Sequence, residues 1–318
     1  MTTSAEVEVI EGSYVWQLPS LKNTVNTHYT IYQPRKSSKY APLLVLHGGP
    51  GVFSVYLKSL SKLAPLFGIP VIFYDQLGCG HSTHLPEKMG DEAFWTEDLF
   101  LKELEGIVEH LALRSKDKWN GTGTFDMFGH SWGAMLAASY AISHPTGLRK
   151  LVLASGSARM QTWMDETTRL RKTLPAEVQK VLDRCEREGK TESEEYEGAV
   201  TVFYAKYLCR QQPMPEDLVE AFAEMAKDPT VYFTMFGKNE FSCTGILKSW
   251  NIVSSLHKIA VPTLLTNGQY DEATDLNLQP LFQHIPKVKW VQFAGSSHMS
   301  HIEETERYMD ILGGFLTT

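Results

Sequence analysis

A serine between two glycines, Gly129-His130-Ser131-Trp132-Gly133, follows the apolar run Phe125-Asp126-Met127-Phe128 and precedes the helix-forming run Ala134-Met135-Leu136-Ala137-Ala138. A serine hydroxyl works as a nucleophile when the backbone pushes it out at the end of a strand and a base stands within reach. The spacing predicts that geometry. The turn is so tight that its flanking positions have no room for side chains, and the serine is forced into a strained backbone region. The backbone N–H of Trp132 then sits at a helix N-terminus, where unpaired donors and the helix dipole stabilise an oxyanion.

A second oxyanion donor is expected from glycine-rich backbone at the end of a neighbouring strand. Leu43-Leu44-Val45-Leu46 reads as a buried strand and runs directly into His47-Gly48-Gly49-Pro50-Gly51, so Gly49 is assigned that donor. His47 reads as a structural side chain bonded to backbone. Val71-Ile72-Phe73-Tyr74-Asp75 is another apolar run, and its exit loop Gln76-Leu77-Gly78-Cys79-Gly80-His81-Ser82 shapes the same end of the sheet.

The acid and the base must lie downstream, because the chain order that goes with this elbow is serine, acid, histidine. Val261-Pro262-Thr263-Leu264-Leu265-Thr266-Asn267 is strand-like and ends in Gly268-Gln269-Tyr270-Asp271-Glu272, which offers Asp271. Val288-Lys289-Trp290-Val291-Gln292-Phe293 is a further strand, and its exit loop Ala294-Gly295-Ser296-Ser297-His298 offers His298. Ser131 would attack a carbonyl, His298 would take and return the proton, and Asp271 would orient the imidazole and stabilise its charged form. Glu272 and Asp275 remain alternatives for the carboxylate, and His301 for the base, although its place near a helix start suits capping or a solvent-facing role. His130 is expected to pack away from Ser131.

The elements that must position these residues follow from the patterning. Two or three strands open the chain, around Val7 to Ile10, Tyr14 to Leu18 and His28 to Gln33. Strands and helices then alternate, with a helix from about Phe94 to Leu113, the elbow helix to about His144 and a strand from Lys150 to Ala154. Alternation of this kind specifies an α/β fold with a mostly parallel sheet covered on both faces and ligands at the carboxyl ends of its strands. From Ser155 to about Lys258 the strand signal disappears and helical patterns dominate. The organisation is therefore a core of residues 1–155 and 259–318, with residues 156–258 inserted as a helical cap over the site.

Composition excludes several other functions. The formal net charge is −7, with no lysine–arginine cluster, so no nucleic-acid partner is expected. No stretch approaches the length of a membrane span, and residues 1–8 lack the basic start and apolar core of a secretory signal. Cys79, Cys185, Cys209 and Cys243 share no metal-like spacing, which points to free thiols and a cytosolic setting, with Cys79 a buried filler. The histidines are dispersed, no His-Glu-x-x-His helix occurs and neither glycine loop has the GxGxxG spacing, so neither metal nor cofactor is called for.

Taken together, His47-Gly48-Gly49-Pro50-Gly51, Asp75-Gln76-Leu77-Gly78-Cys79-Gly80 and the elbow with its following tryptophan resemble the signature set of the proline iminopeptidase family of alpha/beta hydrolases. The resemblance spans nearly the whole chain. It implies the alpha/beta-hydrolase fold, and it implies hydrolysis of an amide or peptide bond after an unblocked amino-terminal residue, proline or a small apolar one. Within the cap, the segment from Tyr232 to Phe241 resembles the one whose glutamate binds the substrate's free amine, which assigns that role to Glu240 and places Phe233 and Phe236 in an aromatic pocket. The segment from Phe203 to Pro213 aligns Tyr204 with a tyrosine of the same subsite. It also sets Gln212 where family members commonly carry a second amine-contacting glutamate. A glutamine accepts a hydrogen bond but supplies no charge. Two other readings stay open: an esterase, thioesterase or amidase acting on an uncharged small molecule, and a binding protein that has kept the scaffold without the reaction.

Overall fold

The computed structural model describes residues 6–19, 21–36 and 38–318. Residues 1–5 of the leader reading fall outside it.

Eight strands form one sheet: β1 (Val7–Gln17), β2 (Thr24–Pro34), β3 (Leu43–Leu46), β4 (Val71–Tyr74), β5 (Phe125–His130), β6 (Leu148–Ala154), β7 (Thr263–Gly268) and β8 (Val288–Phe293). Their order is β1-β2-β4-β3-β5-β6-β7-β8, with β1, β2 and β4 antiparallel neighbours and the rest parallel. The two strands expected between Val7 and Leu18 are one. Gly12 does not break the run but lies against the Tyr29 ring, and all eleven residues of β1 pair with β2.

The apolar runs of the central strands are continuous because both faces are covered. Leu44, Leu46, Ile72, Met127, Leu151 and Leu265 pack to one side, and Leu43, Val45, Val71, Phe73, Phe128, Val152 and Leu264 pack to the other. Full burial of side chains of this size contributes about 1.5–3 kcal/mol each. The helices α1 (Leu63–Phe67), α2 (Glu97–His110) and α3 (Trp132–Ile142) belong to the core. Thr96 caps α2 by accepting from the Leu99 N–H, and Glu97 and Asp98 occupy its positive end. Helix α3 is buried on nearly every side, which explains its uniformly apolar sequence.

Between β6 and β7 come α4 (Met160–Arg171), α5 (Ala176–Arg187), α6 (Glu194–Tyr207), α7 (Glu216–Lys227) and α8 (Thr230–Met235). This insertion has an apolar centre of its own, around Leu170, Leu182, Phe203 and Phe241. The chain then closes with α9 (Asp275–His284), α10 (Ser300–Glu303) and α11 (Thr305–Thr317).

Register is what gathers the site. In the parallel part of the sheet Leu46 lies opposite Gly129, His130 opposite Ala154, Ala154 opposite Thr266, and Gly268 opposite Phe293. The exits of β3, β5, β6, β7 and β8 therefore share one edge, and the order reverses around β3, where such sheets form their ligand crevice.

Candidate active site

Ser131 has φ +56° and ψ −122°, a conformation that costs a non-glycine residue about 1–3 kcal/mol. Close packing holds it there. A Cβ on Gly129 would stand 2.1 Å from the Gly133 carbonyl oxygen, and one on Gly133 would stand 2.3 Å from that of Leu46. The Ser131 N–H donates to the Ala154 carbonyl at 2.9 Å, fixing the turn to the end of β6.

Asp271 and His298 meet directly, with His298 Nδ1 donating to Asp271 Oδ1 at 2.7 Å. The same carboxylate accepts from the Ser155 hydroxyl at 2.7 Å and from the Ala273 N–H at 2.7 Å, so its orientation is fixed from three sides. His298 and Ser131 share the wall of one cavity. The hydrogen bonds of His298 run from its ring to Asp271, from its N–H to the Tyr207 carbonyl and, through its own carbonyl, to His130 and Ser155, and none joins it to the serine hydroxyl. Serine–histidine bonds of this type tighten as substrate is bound.

A chain of hydrogen bonds ties the base to the glycine loop. The Gly48 N–H donates to Tyr56 Oη at 2.8 Å, Tyr56 Oη to His130 Nδ1 at 3.0 Å, and His130 Nε2 to the His298 carbonyl at 2.9 Å. His130 is thus structural, as expected, yet it also packs edge-on against the His298 ring at 4.7 Å. Burial, and next the neighbouring His298 and His301, hold its pKa well below the ordinary histidine value. His301 is buried, contrary to the solvent-facing expectation. It donates to the Tyr56 carbonyl, and burial pushes its pKa down to about 4. His47 accepts from the Gln76 N–H and donates to the Gly48 carbonyl, which agrees with a structural role. Asp275 serves Asn267 and Gln292, away from the cavity.

The cavity has a volume of about 110 Å³. Gly49, Ser131 and Trp132 form part of its floor, and the Trp132 indole is pinned by Gln76 Oε1 at 2.9 Å. Apolar walls come from Met135 of the core and from Met160, Trp163, Leu208, Leu218, Phe222, Met225, Phe236 and Leu247 of the insertion. Glu240 enters from the insertion. Its Oε2 accepts from Tyr204 Oη at 2.8 Å and from Tyr232 Oη at 2.9 Å.

Three of the five residues read from the cap, Glu240, Tyr204 and Phe236, line this cavity, and two do not. Gln212 is exposed, lying just past α6 where the chain has already turned outward. Phe233 is half-buried, and its ring faces Lys238 Nζ instead. The second carboxylate of the cavity is Glu272, from the core. Its Oε1 stands 3.7 Å from His298 Nε2, and its Oε2 is buried without a hydrogen-bond partner. The sequence offered Glu272 only as a rival to Asp271. The clue was adjacency: two consecutive acids on a tight turn point to different sides, one to each nitrogen of the imidazole.

Electrostatics couple these groups. Burial opposes the charged imidazole of His298, but Asp271, Glu272 and Glu240 outweigh it and push its pKa up to about 8. Burial raises both Glu240 and Glu272 above the ordinary carboxyl value. The Tyr204 and Tyr232 hydroxyls partly restore the ionised form of Glu240, while Glu272 relies on His298 alone. Burial holds Glu272 at about 8 and Glu240 above the carboxyl range, so these two acids beside the imidazole give up their protons most readily when a cation is added next to them.

A hydroxyl on a strained turn, an imidazole oriented by a buried carboxylate and glycine-rich backbone beside them are the parts of an acyl-transfer site, and the sheet that carries them is of the hydrolase type. The chain belongs to the alpha/beta hydrolase fold family, whose model matches residues 41–305. The structure of a proline iminopeptidase from Mycobacterium smegmatis aligns with a TM-score of 0.85 at 36% identity, covering 96% of this chain and 98% of that one. The structure of VinJ aligns with a TM-score of 0.87 at 38% identity, covering 96% and 98%. A proline iminopeptidase from Heyndrickxia coagulans is 36% identical over 277 residues, 87% of this chain and 91% of the relative. Within the hydrolases, the chain belongs to the proline iminopeptidase family.

Proposed function

We propose that this hydrolase releases an amino-terminal residue bearing a free amine, proline or another small apolar residue, from an amide or short peptide. Ser131 is the nucleophile, His298 the base, Asp271 its orienting acid, and the N–H groups of Gly49 and Trp132 the oxyanion donors. The observation that carries the substrate class is the buried, unpartnered oxygen of Glu272 beside a second buried carboxylate, Glu240, in one cavity with Ser131. A carboxylate oxygen left alone in an apolar site costs free energy, and a substrate ammonium is the group that recovers it.

The roles follow from position. Glu240 and Glu272 hold the ammonium, the apolar walls take the side chain, and the scissile carbonyl is left facing Ser131. His298 Nε2 takes the serine proton as the acyl-enzyme forms and returns it to the leaving amine, and water then repeats the sequence. The relatives named proline iminopeptidase support proline as the released residue. The test compares a proline arylamide with its N-acylated analogue. Turnover of the free amine should exceed that of the blocked one by about 100-fold or more. Equal turnover would remove the amine from recognition.

A further inference from the structure

His28 is distant in sequence from Asp75 and His81, and strand pairing brings the three together. Tyr29 of β2 lies opposite Tyr74 of β4, and the Asp75 N–H donates to the His28 carbonyl at 3.0 Å, which sets these two residues side by side at the end of the ladder. The tight loop after Asp75 then folds His81 back, its N–H donating to Asp75 Oδ2 at 3.0 Å. His81 Nδ1 stands 3.2 Å from that same oxygen and His28 Nδ1 stands 3.8 Å from it. One potential ligand atom from each residue falls within 4.8 Å of the other two.

We propose that His28, Asp75 and His81 form a binding site for a divalent transition ion, zinc in particular, separate from the cavity of Ser131. Nitrogen and oxygen ligands about 2.0–2.1 Å from zinc are spaced about 3.3 Å apart along a tetrahedral edge, which the two imidazole–carboxylate separations of 3.2 and 3.8 Å approach. The carboxylate is already divided for the task. Its Oδ1 accepts from the Ser54 N–H at 3.1 Å and the Ser54 hydroxyl at 2.7 Å, while Oδ2, which also accepts the His81 N–H, faces both imidazoles. Hydrogen bonding of the second oxygen is what holds a ligating carboxylate in place. The three side chains border an open surface cavity of about 250 Å³, which gives an ion a route in and room for a water as fourth ligand. Glu11 and Glu220 line the same cavity and add negative charge, and Lys58 opposes it. Two imidazoles and a carboxylate are a donor set of intermediate softness, which favours zinc over calcium or magnesium.

The experiment is a calorimetric titration of the chelator-treated full chain with zinc chloride, repeated with cobalt(II) to read its visible absorption. One saturable equivalent is expected in the parent protein, weakened about tenfold or more in His81→Ala and lost in the His28→Ala/His81→Ala pair, together with the cobalt bands. The His81 ring is largely exposed, so His81→Ala keeps the test decisive even if removal of the half-buried His28 unfolds the chain. No saturable binding by the parent, or equal affinity in the His81→Ala variant, would overturn the proposal. So would zinc binding that persists in the double variant and disappears in Glu272→Gln, because the ion would then belong to the catalytic cavity.

Discussion

The rim of the sheet and the helical insertion above it contribute to one cavity by different means. On the rim, position is set by backbone. Ser131, Asp271 and His298 each follow a strand by a few residues, and register brings the strand ends level. In the insertion, position is set by side-chain packing: Glu240 reaches the cavity because Tyr204 of α6 and Tyr232 of α8 hold its carboxylate between them. Under the proposed function the first arrangement supplies the bond-breaking groups and the second supplies much of the selection. A rim residue therefore has one possible place, whereas the insertion has room to be remodelled away from its anchor at Tyr207.

The sharpest test of that division is Ser131→Ala. It should lower kcat/KM by roughly 10⁴-fold or more on every substrate, amine-bearing or not, with an unchanged thermal transition. An activity loss confined to free amines would break the comparison at once. Next come Glu240→Gln and Glu272→Gln, each expected to cost on the order of 100-fold on a proline arylamide and much less on an ester without an amine. Steady-state kinetics on the two substrates decides it, since matching losses would make these glutamates part of the chemistry.

The pH profile sharpens the same distinction. The pKa of His298 is pushed up to about 8, so the imidazole stays protonated, and useless as a base, until the pH rises through that value. Activity on an amine-free ester should climb with pH along a limb centred near it. Glu272→Gln removes one of the carboxylates that raise His298, so the limb should move to lower pH. A limb that stays put would place Glu272 outside the electrostatics of the base. The smallest effect belongs to Gln212→Glu, which adds charge at an exposed position and should leave kcat/KM for a proline arylamide within about twofold.

What was legible in the sequence follows the same boundary. The elbow, the glycine loop and the strand exits after β7 and β8 could be read because tight turns demand glycine and buried parallel strands demand apolar runs. The helical nature of the insertion was equally visible. The contents of its binding surface were not, because helices can approach in many ways that leave the same local pattern. Gln212 was aligned with a glutamate but projects to solvent, and Glu272 was weighed only as a substitute for its neighbour. The histidines looked scattered because the pairing of β2 with β4, which unites His28 with Asp75, is a long-range event without a local signature.

The carbonyl of Tyr207, at the end of α6, accepts from the Glu272 N–H at 3.2 Å and the His298 N–H at 3.3 Å, and Leu208 accepts from Met299 at 3.1 Å. One peptide group of the insertion is thereby stitched to both the acid-bearing and the base-bearing loops. Any swing of that helix would drag the imidazole out of line, so this joint has to behave as a fixed pivot. For an engineer exchanging specificity between relatives, the seam to leave uncut is the one at Tyr207.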